Sequence, residues 1–452
     1  MKKTVIYIIL SGWMLAGCGT YSRYHRPDLS TENLYRDVPV DIDTTTIASL
    51  SWREMFTDPK LQSLIETGLE RNTDLNVARL RVEAAEAVLM TARLSYLPSL
   101  GLTAEGNANK HDGATAKTYN VGASASWELD IFGKLTAAKR GAAAALQGSR
   151  AYRQAVQTQL VATIADSYYT LAMLDAQMTI SNRTLENWRT TVSTLEALKK
   201  VGKSNEAGVL QAKANVMRLE ASLLSIRKSI SETENALSAI LAMPSHSIGR
   251  SNLAEAAFPD TVSIGVPLQL LSNRPDVRQA EMELAQAFYA TNAARAAFYP
   301  NITLSGTLGW TNNGGGVIVN PGQWLLNAIG SLTQPLFNRG TNIANLKIAK
   351  TRQEEAKLLF QQSLLNAGKE VNDALTAWQT AKSQIEINAR QVETLCDAVR
   401  KTESLMRHSN TTYLEVLTAQ QSLLEAEVQQ LQTRFERIQS VIKLYHALGG
   451  GM

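Results

Sequence analysis

The residue types that carry enzyme chemistry are scattered along this sequence. The five histidines are isolated from one another, and no two have a spacing such as His-x-x-x-His that would bring both imidazoles to one metal ion. No Gly-x-Ser-x-Gly nucleophile motif, P-loop or dinucleotide fingerprint occurs. We therefore expect a protein that is not an enzyme, with no catalytic residue, no metal and no noncovalent cofactor.

One covalent modification is predicted, at Cys18. The opening residues, MKKTVIYIILSGWMLAGC, have the two lysines and the apolar run of a secretory signal, and the run is too short to cross a bilayer comfortably. The ending LAGC resembles a bacterial lipobox, so we expect residues 1–17 to be removed and lipid to be attached to Cys18. An ordinary cleaved signal with an incidental cysteine is the alternative. Gly19, where an aspartate would signal retention in the inner membrane, favours the outer membrane.

The composition is that of a folded chain without a charged tract. Of the 452 residues, 44% are hydrophobic and 19% are charged, and the formal net charge is +4. Because no basic block occurs, a nucleic-acid partner is not expected. The second cysteine, Cys396, lies in a helical repeat and is predicted to be a small packed side chain.

The sequence contains two copies of one unit. A helical segment runs into Pro98 and again into Pro300, and apolar and polar residues alternate after each proline. The prolines are 202 residues apart (300 − 98), and Leu210 in VLQA and Leu417 in VLTA are 207 apart (417 − 210). An offset that stays nearly constant indicates a tandem duplication rather than an array of short repeats.

Long amphipathic helices are predicted to fill most of each copy. Apolar residues recur at every seventh position from Ile164 to Val192 and from Leu364 to Met406, a spacing that predicts left-handed coiled-coil packing. A helix over about 134–200 would be about 100 Å long, roughly three times the thickness of the hydrocarbon core of a bilayer. Its surface carries many charges, so we expect the helices to stand in water.

Two strand pairs are predicted between the helices, at about 99–130 and 301–336. In the second pair, apolar and polar residues alternate along the first strand. The apolar set is Ile302, Leu304, Leu308 and Trp310, and the polar set is Thr303, Ser305, Thr307 and Thr311. Strands of about 10–12 residues with one apolar face are typical of tilted transmembrane strands, with lipid outside and water inside. A small soluble hairpin packed on the helices is the alternative.

Four such strands require partners if they cross a membrane. Four strands cannot close a barrel, and an open sheet edge is not tolerated in lipid. Two chains would give eight strands around a lumen filled by side chains, and three chains would give twelve strands around a water-filled bore. The chain is therefore expected to oligomerise.

Three segments resemble the TolC-like outer-membrane efflux factors, in the lipoprotein (NodT-type) branch that serves RND-type pumps. YSRYHRPDL, at 21–29, resembles the leader that follows the acylated cysteine. SWREMFTDPKLQSLIETGLERNTDLNVARLRVEAAEA, at 51–87, and LLSNRPDVRQAEMELAQAFYATNAARAAFYPNITLSG, at 270–306, resemble two longer family motifs. The likeness covers nearly the whole mature chain.

The resemblance implies a mainly α fold with a small β part. Long helices would form a coiled-coil barrel that continues into a trimeric twelve-stranded transmembrane β-barrel, with four strands from each chain. It also implies a homotrimer in contact with outer-membrane lipid, a periplasmic adaptor protein and an inner-membrane RND transporter. The implied function is a passive exit duct for small toxic molecules. A lipid-anchored periplasmic coiled-coil scaffold without a pore is the alternative.

The resemblance also implies a gate near the periplasmic tip. Family members often have Val-Leu-Asp-Ala-Gln-Arg there, and the aspartate and arginine contribute to the constriction. This chain has VLTAQQ, with Thr418 at the aspartate position and Gln421 at the arginine position. We therefore expect neutral hydrogen bonds, or neighbours such as Tyr413 and Glu415, to replace the charged pair.

The motif residues themselves are predicted to be structural. Pro59 and Pro275 suit first helical positions, where a missing N–H has no cost. Asp58 suits a helix N-cap, and Asp276 suits a first turn. The predicted organisation, by residue number, is a signal peptide at 1–17, a lipidated extended leader at 18–58, a first repeat at 59–243, a connecting segment at 244–272 and a second repeat at 273–452.

Overall fold

The computed structural model describes residues 21–27, 50–111, 113–255, 258, 274–311, 323–407 and 413–450. The helices are α1 (Trp52–Met55), α2 (Pro59–Arg71), α3 (Thr73–Leu94), α4 (Lys134–Lys200), α5 (Glu206–Ile240), α6 (Pro275–Ala296), α7 (Thr341–Arg407) and α8 (Tyr413–Ala447). The strands are β1 (Ser99–His111), β2 (Ala114–Leu129), β3 (Asn301–Thr311) and β4 (Gln323–Thr333). The predicted signal peptide, Cys18, the leader over 28–49 and most of the connecting segment lie outside the described residues.

The three long helices of the first copy have the same lengths as those of the second, which confirms the internal repeat. Helices α3 and α6 each have 22 residues, α4 and α7 each have 67, and α5 and α8 each have 35. The long helix predicted at 134–200 has those bounds. Glycine and proline are nearly absent inside these helices, so local helix propensity continues without a break.

The chain divides into two compact units, and each unit contains parts of both copies. The first comprises 1–30, 80–152 and 278–363, and it includes all four strands. The second comprises 31–79, 153–277 and 364–452, and it includes α5, α8 and the greater part of α4 and α7.

The sheet of the first unit is antiparallel, with strand order β1-β2-β3-β4. Strands β1 and β2 have 13 and 16 residues, longer than the expected 10–12, because the pairing continues into the polar stretch at 109–118 through Lys110 and Thr115. Both faces are polar there, so the apolar–polar alternation that marks a strand disappears although the backbone ladder persists. Strand β4 ends at Thr333 rather than at 336.

The seven-residue stripes form the core of the second unit. Ile164, Leu171 and Val371 have no exposed surface, and the small residues Ala367 and Ala381 beside the second stripe are also buried. This arrangement confirms the predicted packing role of the stripe. The prediction for Cys396 was wrong, because this cysteine is exposed. It follows Leu395, which takes the inward position at heptad spacing, and so falls outside the seam.

The predicted helix starts are also confirmed. Helix α2 begins at Pro59, and the Asp58 carboxylate caps it by accepting a hydrogen bond from the Lys60 N–H at 2.9 Å. Helix α6 begins at Pro275, with Asp276 in its first turn.

Among the helices in the described ranges, none is both long enough and apolar enough to span a bilayer.

Candidate functional site

One face of the sheet is apolar across all four strands. The register places Leu308 beside Ala123 on β2 and Leu326 on β4, and it places Leu304 beside Trp127 and Gly330. Directly opposed residues of antiparallel strands lie on the same face of a sheet. Leu102 is 89% exposed and Leu326 is 79% exposed in the single chain. Such a surface suits contact with lipid.

The opposite face is polar, as predicted for β3. Thr307 lies between Ser124 and Asn327, and Thr303 lies between Glu128 and Ser331. At one end, the Thr311 hydroxyl donates to the Asn120 side-chain oxygen at 2.5 Å. Ile329 is an apolar exception on this face, opposite Ser305. Side chains of this kind suit a water-filled interior.

Aromatic residues flank the apolar face at both ends. Trp310 and Trp324 are directly paired, with ring centroids 4.7 Å apart. At the other end, the Trp127 indole donates to the Tyr96 carbonyl at 2.8 Å. Beyond the strand ends, Phe132 stacks on Tyr299, a residue of the second copy, with centroids 5.0 Å apart. Aromatic girdles at both water–lipid interfaces are a feature of transmembrane barrels.

Two facing glycines let β2 and β3 approach closely. Gly122 and Gly309 are directly paired. A Cβ at Gly309 would overlap the Val121 carbonyl oxygen, and a Cβ at Gly122 would lie 2.8 Å from the Leu308 carbonyl oxygen. This contact joins the hairpin of the first copy to the hairpin of the second.

The described leader, 21–27, is held along the helices of the first unit. Ser22 and Asn292 exchange two hydrogen bonds, of 2.9 and 3.3 Å. The Arg140 guanidinium lies 4.9 Å from the Tyr21 ring centroid, and the same ring packs against Gly133. Gly133 comes four residues after the end of β2. The leader therefore begins close to the end of the sheet.

Of the four predicted gate residues, three share one side of α8, and two of the four, Tyr413 and Gln421, contact α5. Glu415, Thr418 and Gln421 are spaced by three residues at the start of the helix. The Thr418 side chain is exposed, and its hydroxyl donates to the Leu414 carbonyl at 2.8 Å. Tyr413 instead packs against Gly208, where any Cβ would overlap its ring.

Three further residues that the sequence did not predict, Asn205, Gly208 and Arg218, hold α5 against α8. The Tyr413 hydroxyl donates to the Asn205 side-chain oxygen at 3.4 Å, and Asn205 also caps α5. The Arg218 guanidinium donates to the Gln421 side-chain oxygen at 3.1 Å. The only sequence signal for this set was Asn205 followed by Gly208, a cap and a small residue that admits a ring. Arg218 has no distinguishing sequence context.

The family-motif residues form buried structural contacts in the second unit. The Arg274 side chain is 3% exposed and pairs with Asp276 at 2.8 Å and Glu370 at 2.7 Å. Burial acts to lower the pKa of Arg274, but these ion pairs outweigh it and raise the pKa. The Arg274 guanidinium also donates to the Ala447 carbonyl at 2.8 Å, which ties the start of α6 to the end of α8.

A second structural contact joins the cap of α2 to α4. The Tyr168 hydroxyl donates to the Asp58 carboxylate at 2.5 Å and accepts from the Ser251 N–H at 2.9 Å. Burial raises the pKa of Tyr168 to about 12, with the bond to Asp58 adding to it. Burial also acts to raise the pKa of Asp58, but its hydrogen bonds outweigh burial and hold the pKa below its usual value.

The described residues offer no group of three or more His, Cys, Asp or Glu side chains placed to hold a metal ion. The geometry instead consists of a two-faced sheet, its aromatic flanks and a set of long helices tied together at their ends.

Comparison with known proteins gives a consistent result. The family model described as "Outer membrane efflux protein" matches residues 64–243 and 266–450. "Cation efflux system protein CusC" of Escherichia coli O6:H1 is 30% identical over 448 residues, which are 97% of this chain and 96% of that protein. "Probable outer membrane lipoprotein SilC" of Salmonella typhimurium is also 30% identical, over 100% of this chain and 99% of its own length.

A solved structure extends the likeness to three dimensions. The open state of the Neisseria gonorrhoeae MtrE outer membrane channel superposes with a TM-score of 0.84 at 29% identity. The match covers 95% of this chain and 97% of that one.

Proposed function

Since the chain belongs to the outer membrane efflux protein family, we propose that three copies of it close a single duct through the outer membrane. The protein is an outer-membrane efflux channel, and its helices extend the channel into the periplasm. In the proposed duct, twelve strands form the barrel and the long helices line the continuation. The duct is passive, and an inner-membrane partner supplies the energy.

The open sheet is the single observation that carries the trimer. Strands β1 and β4 each have one neighbour in the described part of the chain, so each keeps one row of backbone groups unpaired. Unpaired backbone groups in lipid cost several kcal/mol each, which excludes a lone four-stranded sheet in a bilayer. Pairing β4 of one chain with β1 of the next chain in the trimer removes every open edge of the sheet. Twelve strands, rather than eight, leave a water-filled bore between polar faces.

The leader supports lipidation at Cys18. Only Gly19 and Thr20 separate Cys18 from Tyr21, so the cysteine reaches at most about 11 Å from the Tyr21 position. Tyr21 is held beside Gly133, just beyond the end of β2. Acyl chains on Cys18 would therefore enter the membrane next to the barrel. The lipid is the only attached group proposed, with no metal or other cofactor.

The proposed partners are those of a tripartite pump: a periplasmic adaptor protein and an inner-membrane RND transporter. The names of relatives refer to different cargoes: cations, toluene and pyoverdine. A duct that takes its cargo from a pump needs no selective site of its own. We propose no catalytic activity for the chain.

We further propose that Thr418 and Gln421 line the closed end of the duct, with Glu415 on the same side of α8. Support comes from their shared side and from the exposure of Thr418 in the single chain. Tyr413 then has a supporting role, since its ring fixes the start of α8 against Gly208.

Conductance in planar lipid bilayers tests the duct directly. The purified protein is expected to insert and to conduct ions in steps of uniform size. Vesicles without the protein control for leakage. If the protein binds stably to the bilayer but does not conduct, even under conditions that open the closed end of the duct, a scaffold without a pore would be supported instead.

A further inference from the structure

The apolar face of the sheet contains a groove on the side of the hairpin tips. The groove has a volume of about 400 Å³, and residues of all four strands line it. The register places the small Ala123 of β2 between Leu102 of β1 and Leu308 of β3, so a methyl group lies between two larger side chains. Trp310 and Trp324 line the groove at its tip side. On a face that suits contact with lipid, such a groove suits a hydrocarbon chain.

The same face becomes aromatic and then cationic beyond the groove. Along β2, Val121, Tyr119 and Lys117 are spaced by two residues and therefore share this face with Ala123. Lys117 pairs with Ala108 of β1, and Lys110 lies two residues further along β1, so the two lysines are diagonal neighbours on one face. Both lysines are exposed. The order from the groove to the tip is thus apolar, aromatic and positively charged.

The lysines and glutamates of the strands are separated between the two faces. Glu105 pairs with Asn120, which pairs with Thr311, and Glu128 pairs with Thr303, so both carboxylates lie on the polar face. In the strands that the structure describes, no other Asp or Glu occurs. The lipid-facing side of the hairpin therefore ends in positive charge, which is complementary to an anionic group outside the protein.

The height of the lysines indicates which lipid could supply that anionic group. The helices follow the other ends of the strands and extend into the periplasm, so the hairpin tips lie at the outer leaflet. Lys117 is four residues beyond Val121, which is about 13 Å along a strand and about 10 Å along the normal of the bilayer at the usual tilt. Val121 pairs with Trp310, whose side chain suits the interface. The lysines thus lie beyond the level of a phospholipid phosphate, where lipopolysaccharide still carries phosphorylated sugars.

We propose that the outer face of β1 and β2 binds one lipopolysaccharide molecule in each chain. One acyl chain fills the groove over Ala123, Tyr119 contacts the sugars, and Lys110 and Lys117 bind the phosphates. The site lies at the opposite end of the sheet from the end of β2 beside which Tyr21 of the leader is held. This inference rests on the proposed duct, because the apolar face must meet lipid, and it adds a specific lipid at the outer rim.

Native mass spectrometry of the full-length protein tests this site. The trimer is extracted in detergent, freed of lipid and titrated with lipopolysaccharide that has a phosphorylated inner core. We expect one bound molecule per chain. Lys110→Gln with Lys117→Gln should weaken binding about tenfold or more, the factor for losing one charge-assisted hydrogen bond. The same lipid without phosphates should bind the unsubstituted protein more weakly, and it should not distinguish the two proteins. Ala123→Phe, which fills the groove, should also weaken binding.

Two matched variants control for charge and bulk. Lys200→Gln with Lys203→Gln removes the same charge from exposed positions of the second unit and should bind as the unsubstituted protein does. Ala328→Phe adds the same bulk on the apolar face, at a position that does not line the groove, and should also leave binding unchanged.

Equal affinity of the Lys110 and Lys117 double variant and the unsubstituted protein would overturn the site. An equal loss of binding in the charge control, or equal affinity for phosphatidylglycerol, would also overturn it. If the trimer still forms and conducts in these cases, the duct remains intact. An unsubstituted protein that forms no trimer would instead contradict the proposed function, and the lipid site with it.

Discussion

At the scale of single residues, positions 418 and 421 of α8 carry neutral side chains where the family resemblance implies an aspartate and an arginine. The Thr418 hydroxyl is bonded within its own helix, and the Gln421 amide bridges Arg218 and Glu425 through bonds of 3.1 and 2.9 Å. Neutral hydrogen bonds contribute about 0.5–1.5 kcal/mol each, against about 1.5–3 for bonds to a charged group. A closure built on Thr418 should therefore respond weakly to salt and pH.

Thr418→Arg is expected to open the duct. The three-fold axis of the proposed trimer would bring three guanidinium groups near one another, and like charges repel strongly when they are partly desolvated. Single-channel conductance should rise, and cells should become permeable to vancomycin. Thr418→Gln, which adds bulk without charge, is the control. If both variants conduct as the unsubstituted protein does, Thr418 lies away from the constriction.

Asp58→Asn tests the half-buried cap of α2 through its pH dependence. The depressed pKa of Asp58 means that its charge stabilises the fold above the unfolded-state pKa near 4, and that this contribution is lost as pH falls through the folded-state pKa. The asparagine variant should lose about 1 kcal/mol at pH 7, the difference between a charged and a neutral hydrogen bond.

The measurement is the melting temperature by circular dichroism at pH 7 and pH 3. Because the variant has no charge to lose at this site, its melting temperature should fall less between the two values. An equal fall in both proteins would show that the Asp58 charge does not stabilise the native state.

At the scale of the elements, the joint between β2 and β3 depends on a close backbone approach. Gly309→Ala would force its methyl group against the Val121 carbonyl, with a cost of about 1–3 kcal/mol for overpacking. Gly306→Ala is the matched control, since its Cβ would meet the nearest atom at an ordinary 3.4 Å. Heat-induced dissociation followed on gels should begin at a lower temperature for Gly309→Ala only. Equal stability of the two variants would contradict the close approach.

The two faces of β3 should also respond differently to charge. Leu308→Arg puts a cation on the apolar face and should cost about 2–4 kcal/mol per chain if the site lies near the bilayer midplane. Thr307→Arg puts the same cation on the polar face and should be tolerated better. The yield of folded protein in outer-membrane fractions measures the difference. A reversed order would mean that the faces are assigned the wrong way round.

The helices and the faces of the strands could be predicted because each depends on a local period. The seven-residue stripes fixed the register of α4 and α7, and alternation fixed the faces of β3. The extension of the first hairpin through Lys110 could not be predicted, because a strand with two polar faces has no periodic signal. The hydrogen bond between Arg218 and Gln421 could not be predicted either, because it joins residues 203 apart in sequence and no local period marks it. Cys396 shows that a heptad pattern must be followed residue by residue to separate the seam from the outer surface.

At the scale of the whole molecule, the duplication within the chain and the proposed trimer together supply the strands that a closed barrel needs. Each copy supplies one hairpin and one pair of long helices, and in the described part of the chain β1 and β4 each have only one neighbouring strand. An open sheet with an apolar outer face has no stable place in lipid until its edges are paired.

Native mass spectrometry of the detergent-solubilised outer-membrane protein is the most direct test of the three-chain duct. We expect one dominant species, with the mass of three chains that each begin at Cys18 and carry acyl groups. An unmodified N-terminus would remove the anchor but leave the duct. A stable monomer or dimer as the only folded species would contradict the central claim that three chains close one duct.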